Sequence, residues 1–119
     1  MKKILLIMIT LFASTSSYAA PQFDCHGNEP FWGLKLHANN IVFTREQQDT
    51  HLNPVSPHQQ GNTFKYDTQT NGQAVTIVVK KEKCSDGMSD ISYPYSVSYS
   101  GTNQTYSGCC KLIKKGYKQ

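Results

Sequence analysis

Acidic side chains in two short motifs are the residues of this chain whose types and spacing could support chemistry. Glu29 lies in the sequence GNEPFW, and Asp86 and Asp90 flank the turn-forming residues of CSDGMSD. Glu29 has no second carboxylate at a spacing suited to a general acid and base pair. The second motif lacks the alternating oxygen ligands of a calcium loop, and its Asp-Gly step favours a turn. We therefore predict no catalytic residue, no metal site and no cofactor, and we treat Glu29, Asp86 and Asp90 as candidate binding residues.

Aromatic residues form a second set of candidates. Trp32 ends the first motif and begins an alternating apolar segment, so it is expected to anchor the core, or to contact a ligand if it is exposed. Tyr93, Tyr95 and Tyr99 fall on one face of a predicted strand. That face packs into the core if the strand is half-buried, whereas an exposed face would offer rings that stack on sugars or other rings. Trp32, Tyr93 and Tyr95 are candidate binding residues on this ground.

Nucleophilic catalysis is not indicated by the histidines or by the cysteines. The four histidines are scattered along the chain, and only His26 adjoins a motif. Its neighbour Cys25 is expected to be oxidised, and the sequence contains no nucleophile elbow. A Cys/His metal site is also disfavoured, because zinc ligands usually include cysteines separated by about two to four residues.

The four cysteines, Cys25, Cys84, Cys109 and Cys110, predict two disulfide bonds. A bond between the adjacent Cys109 and Cys110 would close a strained ring, which leaves two cross-pairings. Adjacent residues of a strand point to opposite faces, so the last two cysteines can tie one strand to two different segments. We favour Cys25–Cys110 with Cys84–Cys109, because Cys110 shares a face with Leu112 and is expected to point inward. The other cross-pairing stays open.

The N-terminal segment has the three parts of a secretory signal peptide. Two lysines precede an apolar run at residues 4–13, and Ser17 and Ala19 place small residues at the positions before a cleavage site. Removing residues 1–19 would leave one mature domain of 100 residues, 20–119, and would lower the formal net charge from +4 to +2. This size and charge exclude two domains, a transmembrane protein and a strongly basic nucleic-acid-binding protein.

These features predict a periplasmic or secreted protein that is soluble after cleavage. An even number of cysteines in a short exported chain is typical of an oxidising compartment. No lipid anchor is expected, because Cys25 is not the first mature residue and lacks the small, apolar residues that precede an anchor cysteine. The basic tail, residues 114–119, could contact an anionic membrane surface weakly, and the alternative is a solvated tail that aids solubility.

Alternation of apolar and polar residues predicts β-strands along the mature chain. Asn71-Gly72 is the strongest hairpin turn signal, and the polar residues 47–61 are expected to be irregular, with an optional short strand at 52–55. The predicted fold is all-β, a small antiparallel barrel or sandwich of six to eight strands stapled by disulfides. The principal predicted strands are residues 31–37, 41–45, 64–68, 73–81, 93–99 and 105–113.

Three motifs in combination resemble a family of uncharacterised bacterial cell-envelope domains found in periplasmic proteins and lipoproteins. They are GNEPFW shortly after Cys25, CSDGMSD followed by Tyr-Pro-Tyr, and Gly-Cys-Cys at residues 108–110. The resemblance covers about residues 23–111 and implies a location in the envelope. In that family the domain can occur beside lysozyme-inhibitor-like or heat-shock lipoprotein domains, and no established activity is implied. This chain differs from the lipoprotein members because it lacks their anchor cysteine.

The favoured function is that of a non-enzymatic binding protein whose partner is an envelope or extracellular ligand or protein, and not a nucleic acid. Inhibition of a lysozyme is one version of this hypothesis. The positive charge opposes it, because an inhibitor of a basic lysozyme profits from acidity. Ser100-Gly101 is also followed by Tyr106 at a longer spacing than in known inhibitor loops.

The alternative function is that of a hydrolase or a metal-binding protein. It would use Glu29, Asp86 and Asp90 together with His26, and it requires these loops to converge in space. Disulfides from two distant segments to one adjacent cysteine pair would permit that convergence.

Overall fold

The computed structural model describes residues 20–28, 30–87 and 90–113. The predicted signal segment at residues 1–19, Glu29, residues 88–89 and the predicted basic tail at residues 114–119 lie outside the described residues. Within the described residues the chain forms eleven β-strands. They are β1 Gln22–Asn28, β2 Phe31–His37, β3 Asn40–Arg45, β4 Gln48–Leu52, β5 His58–Gln60, β6 Thr63–Thr70, β7 Gln73–Lys80, β8 Cys84–Ser85, β9 Ser92–Tyr93, β10 Tyr95–Ser100 and β11 Thr105–Ile113.

Nine of these strands form one antiparallel sheet in the order β4-β3-β2-β1-β11-β10-β7-β6-β5. The sheet curls into a half-barrel, which confirms the predicted all-β, disulfide-stapled class. The curl brings the segment after β4 to the C-terminal half of β6, where the backbone N–H of Asn53 donates to the carbonyl of Gln69 at 3.0 Å. The hydroxyl of Thr68 also donates to the Asn53 carbonyl at 2.6 Å. The remaining strands, β8 and β9, pair with each other as a small hairpin.

The inner face of the curled sheet carries the hydrophobic core. Alternate residues of each long strand are buried there, as in β7, where Val75, Ile77 and Val79 are at most 4% exposed. Each such side chain stabilises the fold by about 1.5–3 kcal/mol relative to an exposed one. Aromatic rings fill one part of this core, with Phe43 stacked on Tyr99 at a centroid distance of 4.2 Å.

Trp32 lies in the same aromatic cluster and is 5% exposed, as expected for a core anchor. Its indole N–H donates to the carbonyl of Ser107 at 3.3 Å. Two glycines make room for the ring, since a Cβ at Gly27 would lie 2.7 Å from Trp32 Cδ1 and one at Gly108 would lie 3.0 Å from Trp32 Cζ2. The glycines of the first and third motifs therefore have a packing role.

Both predicted disulfides are present, in the favoured pairing Cys25–Cys110 and Cys84–Cys109. Cys25 and Cys110 are direct cross-strand neighbours in β1 and β11, with a Cα–Cα distance of 4.0 Å, and both lie in the core cluster. Cys109 points to the outer face and binds Cys84 in β8, at a Cα–Cα distance of 5.5 Å. Leu112, which was expected to share the inner face with Cys110, is 46% exposed.

The sheet has more strands than predicted because three of them carry few apolar residues. β1 has only two buried apolar side chains among polar ones, and β4 and β5 occupy the polar segment that was expected to be irregular. The turn between β3 and β4 places Glu46 and Gln47 at φ values of 52° and 63°, without the asparagine or glycine that usually signals such a turn.

The prediction that Tyr93 shares a strand face with Tyr95 and Tyr99 is wrong. Pro94 separates two strands, so Tyr93 belongs to β9 and the small hairpin, whereas Tyr95 begins β10 of the main sheet. Tyr95 and Tyr99 face the core, in which the Tyr95 ring lies 4.9 Å from that of Phe23.

Candidate functional site

A cleft of about 940 Å³ lies on the outer face of the sheet, where β1, β11, β10 and β7 run side by side. Residues 82–87, which include β8, line the cleft together with the sheet. Disulfide Cys84–Cys109 fixes this segment to the last strand. We refer to residues 82–87 as the wall and to the outward side chains of the sheet as the floor.

Successive side chains of a strand point to opposite faces, so the strands that bury apolar residues in the core turn their polar residues toward the floor. In β10, Val97 and Tyr99 are buried, and the intervening Ser96 and Ser98 point outward. Ser98 lies opposite Ser107 of β11 on one side and opposite Val78 of β7 on the other. Hydroxyl groups of neighbouring strands therefore form a row across the floor, with one aliphatic side chain at its end.

The wall is held to the sheet by contacts with two residues of β1. The side-chain amide of Asn28 donates to the backbone carbonyl of Asp86 at 2.6 Å. The carboxylate of Asp86 lies 3.3 Å from His26 Nε2, and its side chain is only 9% exposed. The ring of Tyr93, in β9, packs edge-on against the His26 imidazole at a centroid distance of 4.8 Å. These contacts and the disulfide define a preformed wall.

The carboxylates of the cleft have hydrogen-bond partners, whereas its lysines form no ion pair within the described residues. Glu82 accepts a hydrogen bond from the Ser96 hydroxyl at 2.6 Å, and Asp86 is held by His26. Lys80 and Lys83 line the same cleft, are exposed, and form no ion pair within the described part of the chain. The cleft therefore offers free ammonium groups, while its carboxylates already have partners.

The structure brings together only some of the predicted site residues. Asp86 and Tyr93 meet His26 at the wall, whereas Asp90 is exposed and Glu29 is not among the described residues. Trp32 and Tyr95 contact the core and do not line the cleft. The convergence required of the carboxylate loops is thus observed for Asp86 with His26.

Sequence reasoning missed the floor and the free cations. Ser96 and Ser98 lie in the predicted strand 93–99 and Lys80 lies in the predicted strand 73–81, and none of the three was predicted to bind a ligand. The signal that could have found the floor is the unbroken serine alternation at residues 96, 98 and 100. These serines can be recognised as the floor of a cleft only once the position of residues 82–87 over them is known.

Two further observations concern metals and membranes. Among residues 20–28, 30–87 and 90–113, no three histidine, cysteine, aspartate or glutamate side chains converge as potential metal ligands. In that same part of the chain, no helix has the length and apolar character needed to cross a bilayer.

Comparison of the chain with protein-family models, with curated proteins and with solved structures found no match.

Proposed function

We propose that this chain is an exported, non-enzymatic binding protein of the cell envelope or extracellular space, and that its ligand site is the outer-face cleft. The observation that carries the proposal is the preformed wall, which a disulfide and two contacts to β1 hold against a floor of hydroxyl groups. A site that is rigid before binding loses less conformational entropy when its ligand arrives.

Export is supported by the signal-like N-terminal segment and by the two disulfides. Disulfides persist in oxidising compartments such as the periplasm and the extracellular medium. A domain with one curled sheet and a modest core also gains stability from such bonds, which suits a protein that works outside the cytoplasm.

The His26–Asp86 pair is the observation that would favour hydrolysis as a second function. A carboxylate beside an imidazole can orient that imidazole as a general base. Hydrolysis of p-nitrophenyl acetate by the wild-type domain, abolished in His26→Gln, would establish this alternative. The contacts of Asp86 favour a positioning role instead, because both its carboxylate and its backbone carbonyl join the wall to β1.

The proposed function is tested by co-sedimentation of the mature domain with an insoluble bacterial envelope fraction. Ser98→Trp fills the floor of the cleft, and Ser100→Trp is the matched control, since Ser100 lies on the same strand and face but does not line the cleft. We expect wild type and Ser100→Trp to pellet with the envelopes and Ser98→Trp to bind about tenfold less tightly. A commercial lysozyme in a parallel pull-down tests the inhibitor version.

Two results would refute the proposal. One is a wild-type domain that remains in the supernatant at every envelope concentration. The other is equal binding by Ser98→Trp and Ser100→Trp, with both variants folded by circular dichroism, since the cleft would then take no part in retention.

A further inference from the structure

The cleft has the chemistry of a site for an acidic sugar chain. Building on the proposed function, we infer that its ligand is an oligosaccharide that carries carboxylate or other oxyanion groups. Three features of the described residues support this assignment: the free lysines, the hydroxyl row and an exposed aromatic ring beside the cleft.

The lysines indicate that the ligand is acidic. Lys80 at the end of β7 and Lys83 just before β8 both line the cleft and have no ion-pair partner in the described residues. Glu82 and Asp86 keep their negative charges, but their carboxylates already contact Ser96 and His26, so the two lysines are the charged groups of the cleft that have no partner among the described residues. Ammonium groups that lack a protein partner attract anionic ligands and form charge-assisted hydrogen bonds with their oxygens.

The hydroxyl row indicates a ligand rich in hydroxyl groups. Ser98 and Ser107 lie side by side on adjacent strands of the floor, and neither side chain has a hydrogen-bond partner among the described residues. A serine hydroxyl both donates and accepts, as a sugar hydroxyl does, so the two groups can pair in either direction. The cleft volume of about 940 Å³ is near the upper end for a small-molecule site and suits several linked sugar units.

The aromatic ring supplies an apolar surface at the rim. Phe31 is 67% exposed and lies directly opposite Asn28 in the β1–β2 hairpin, so both side chains project from the same face of the sheet. Asn28 lines the cleft, so Phe31 is the cross-strand neighbour of a lining residue. A ring in this position can pack against the apolar face of a sugar. An acidic peptide or a free anion has no such sugar face to offer.

The assignment is tested by isothermal titration calorimetry of the mature domain with three probes of similar length. The probes are hexagalacturonate, the neutral maltohexaose, and a hexaglutamate peptide that carries charge without sugar rings. We expect hexagalacturonate to bind at least about tenfold more tightly than either of the others at low salt, and to weaken as the salt concentration rises.

Variants locate the site. Lys80→Ala/Lys83→Ala should reduce hexagalacturonate affinity about tenfold, and Phe31→Ala should reduce it about threefold. Lys35→Ala is the matched control, because Lys35 is an exposed lysine of β2 that does not line the cleft. Its affinity should stay within about twofold of wild type, since exposed charges outside the site are screened.

Each of the following outcomes would overturn the inference. They are equal binding of maltohexaose and hexagalacturonate, binding of hexaglutamate as tight as that of hexagalacturonate, no binding of hexagalacturonate, and unchanged affinity in the double lysine variant or in Phe31→Ala. The proposed function is judged separately, because cleft-dependent retention on envelopes would stand if only the acidic-sugar assignment failed.

Discussion

Removal of the Cys84–Cys109 disulfide should release the wall of the cleft while the core remains folded. The change is the double variant Cys84→Ala/Cys109→Ala. The bond closes a segment with a sequence separation of 25 residues. The loop-closure model assigns about 3.5 kcal/mol to a loop of this length. A domain of this size is stable by about 5–15 kcal/mol, so the variant should still fold.

The expected loss differs between regions because the bond lies on the outer face. The core keeps Cys25–Cys110, which joins the neighbouring strands β1 and β11. The wall keeps the contacts of Asp86 with His26 and Asn28, the bond between Ser96 and Glu82, and the pairing of β8 with β9. Single hydrogen bonds of this kind contribute about 0.5–1.5 kcal/mol each. The wall should therefore open more often than the sheet unfolds.

Hydrogen exchange and chemical denaturation measure the two effects. Urea unfolding should show a free energy of unfolding lower by about 3–4 kcal/mol. Backbone amides of residues 84–87 and 90–93 should exchange faster in the variant, whereas those of β10 should keep their protection. An unchanged free energy of unfolding, or equal loss of protection in β10, would refute the view that this bond holds a wall against an independently stable sheet.

Three further predictions concern the core and its titration. Gly108→Ala should lower the free energy of unfolding by about 2 kcal/mol or more, because the new Cβ meets the His26 carbonyl and the Trp32 ring. Gly33→Ala should lower it far less, because a Cβ at Gly33 would lie 3.8 Å from its nearest neighbour. Urea unfolding of the two variants measures the difference. Tyr66→Phe should raise the free energy of unfolding by about 1 kcal/mol, because the buried hydroxyl has no partner among the described residues; a loss of stability would show that the hydroxyl is satisfied. Burial, with a smaller contribution from Tyr106, raises the pKa of Tyr99 from 10.0 to about 12, so the folded state favours the protonated phenol. The stability that this preference supplies is complete below pH 10.0 and is lost as the pH rises through about 12. Tyr99→Phe should therefore flatten the alkaline fall in stability, which urea unfolding at a series of pH values measures.

The strands with strong apolar alternation could be predicted from the sequence, and so could the turn between two of them. Asn71 and Gly72 take φ values of 50° and 78°, which these two residue types adopt with little strain. The opposite directions of Cys109 and Cys110 on one strand predicted that they bind two different segments, whereas the choice between the two cross-pairings, of which the favoured one is observed, rested on the inward direction expected for Cys110. In each case the information lies within a few neighbouring residues.

The cleft could not be predicted in the same way, because it arises from contacts between distant segments. His26 and Asp86 are 60 positions apart, and the floor serines look like an ordinary solvated strand face until the wall is placed over them. β1 escaped prediction because its buried side chains are held by neighbours on both sides, β2 and β11, and not by its own pattern. Tyr93 was misplaced because the alternation of tyrosines continued across Pro94, where the backbone leaves the sheet.

The pairing of β1 with β11 has a consequence for the order in which the molecule can be made. The earliest described strand and the latest one are neighbours at the middle of the sheet, so the sheet lacks its central seam until the C-terminal end of the chain has emerged. For the exported protein proposed above, which would cross a membrane unfolded, this topology keeps the sheet from closing before β11 is available. A chain without β11 also lacks both partner cysteines and leaves the edges of β1 and β10 unpaired, and such edges can pair with another chain and aggregate.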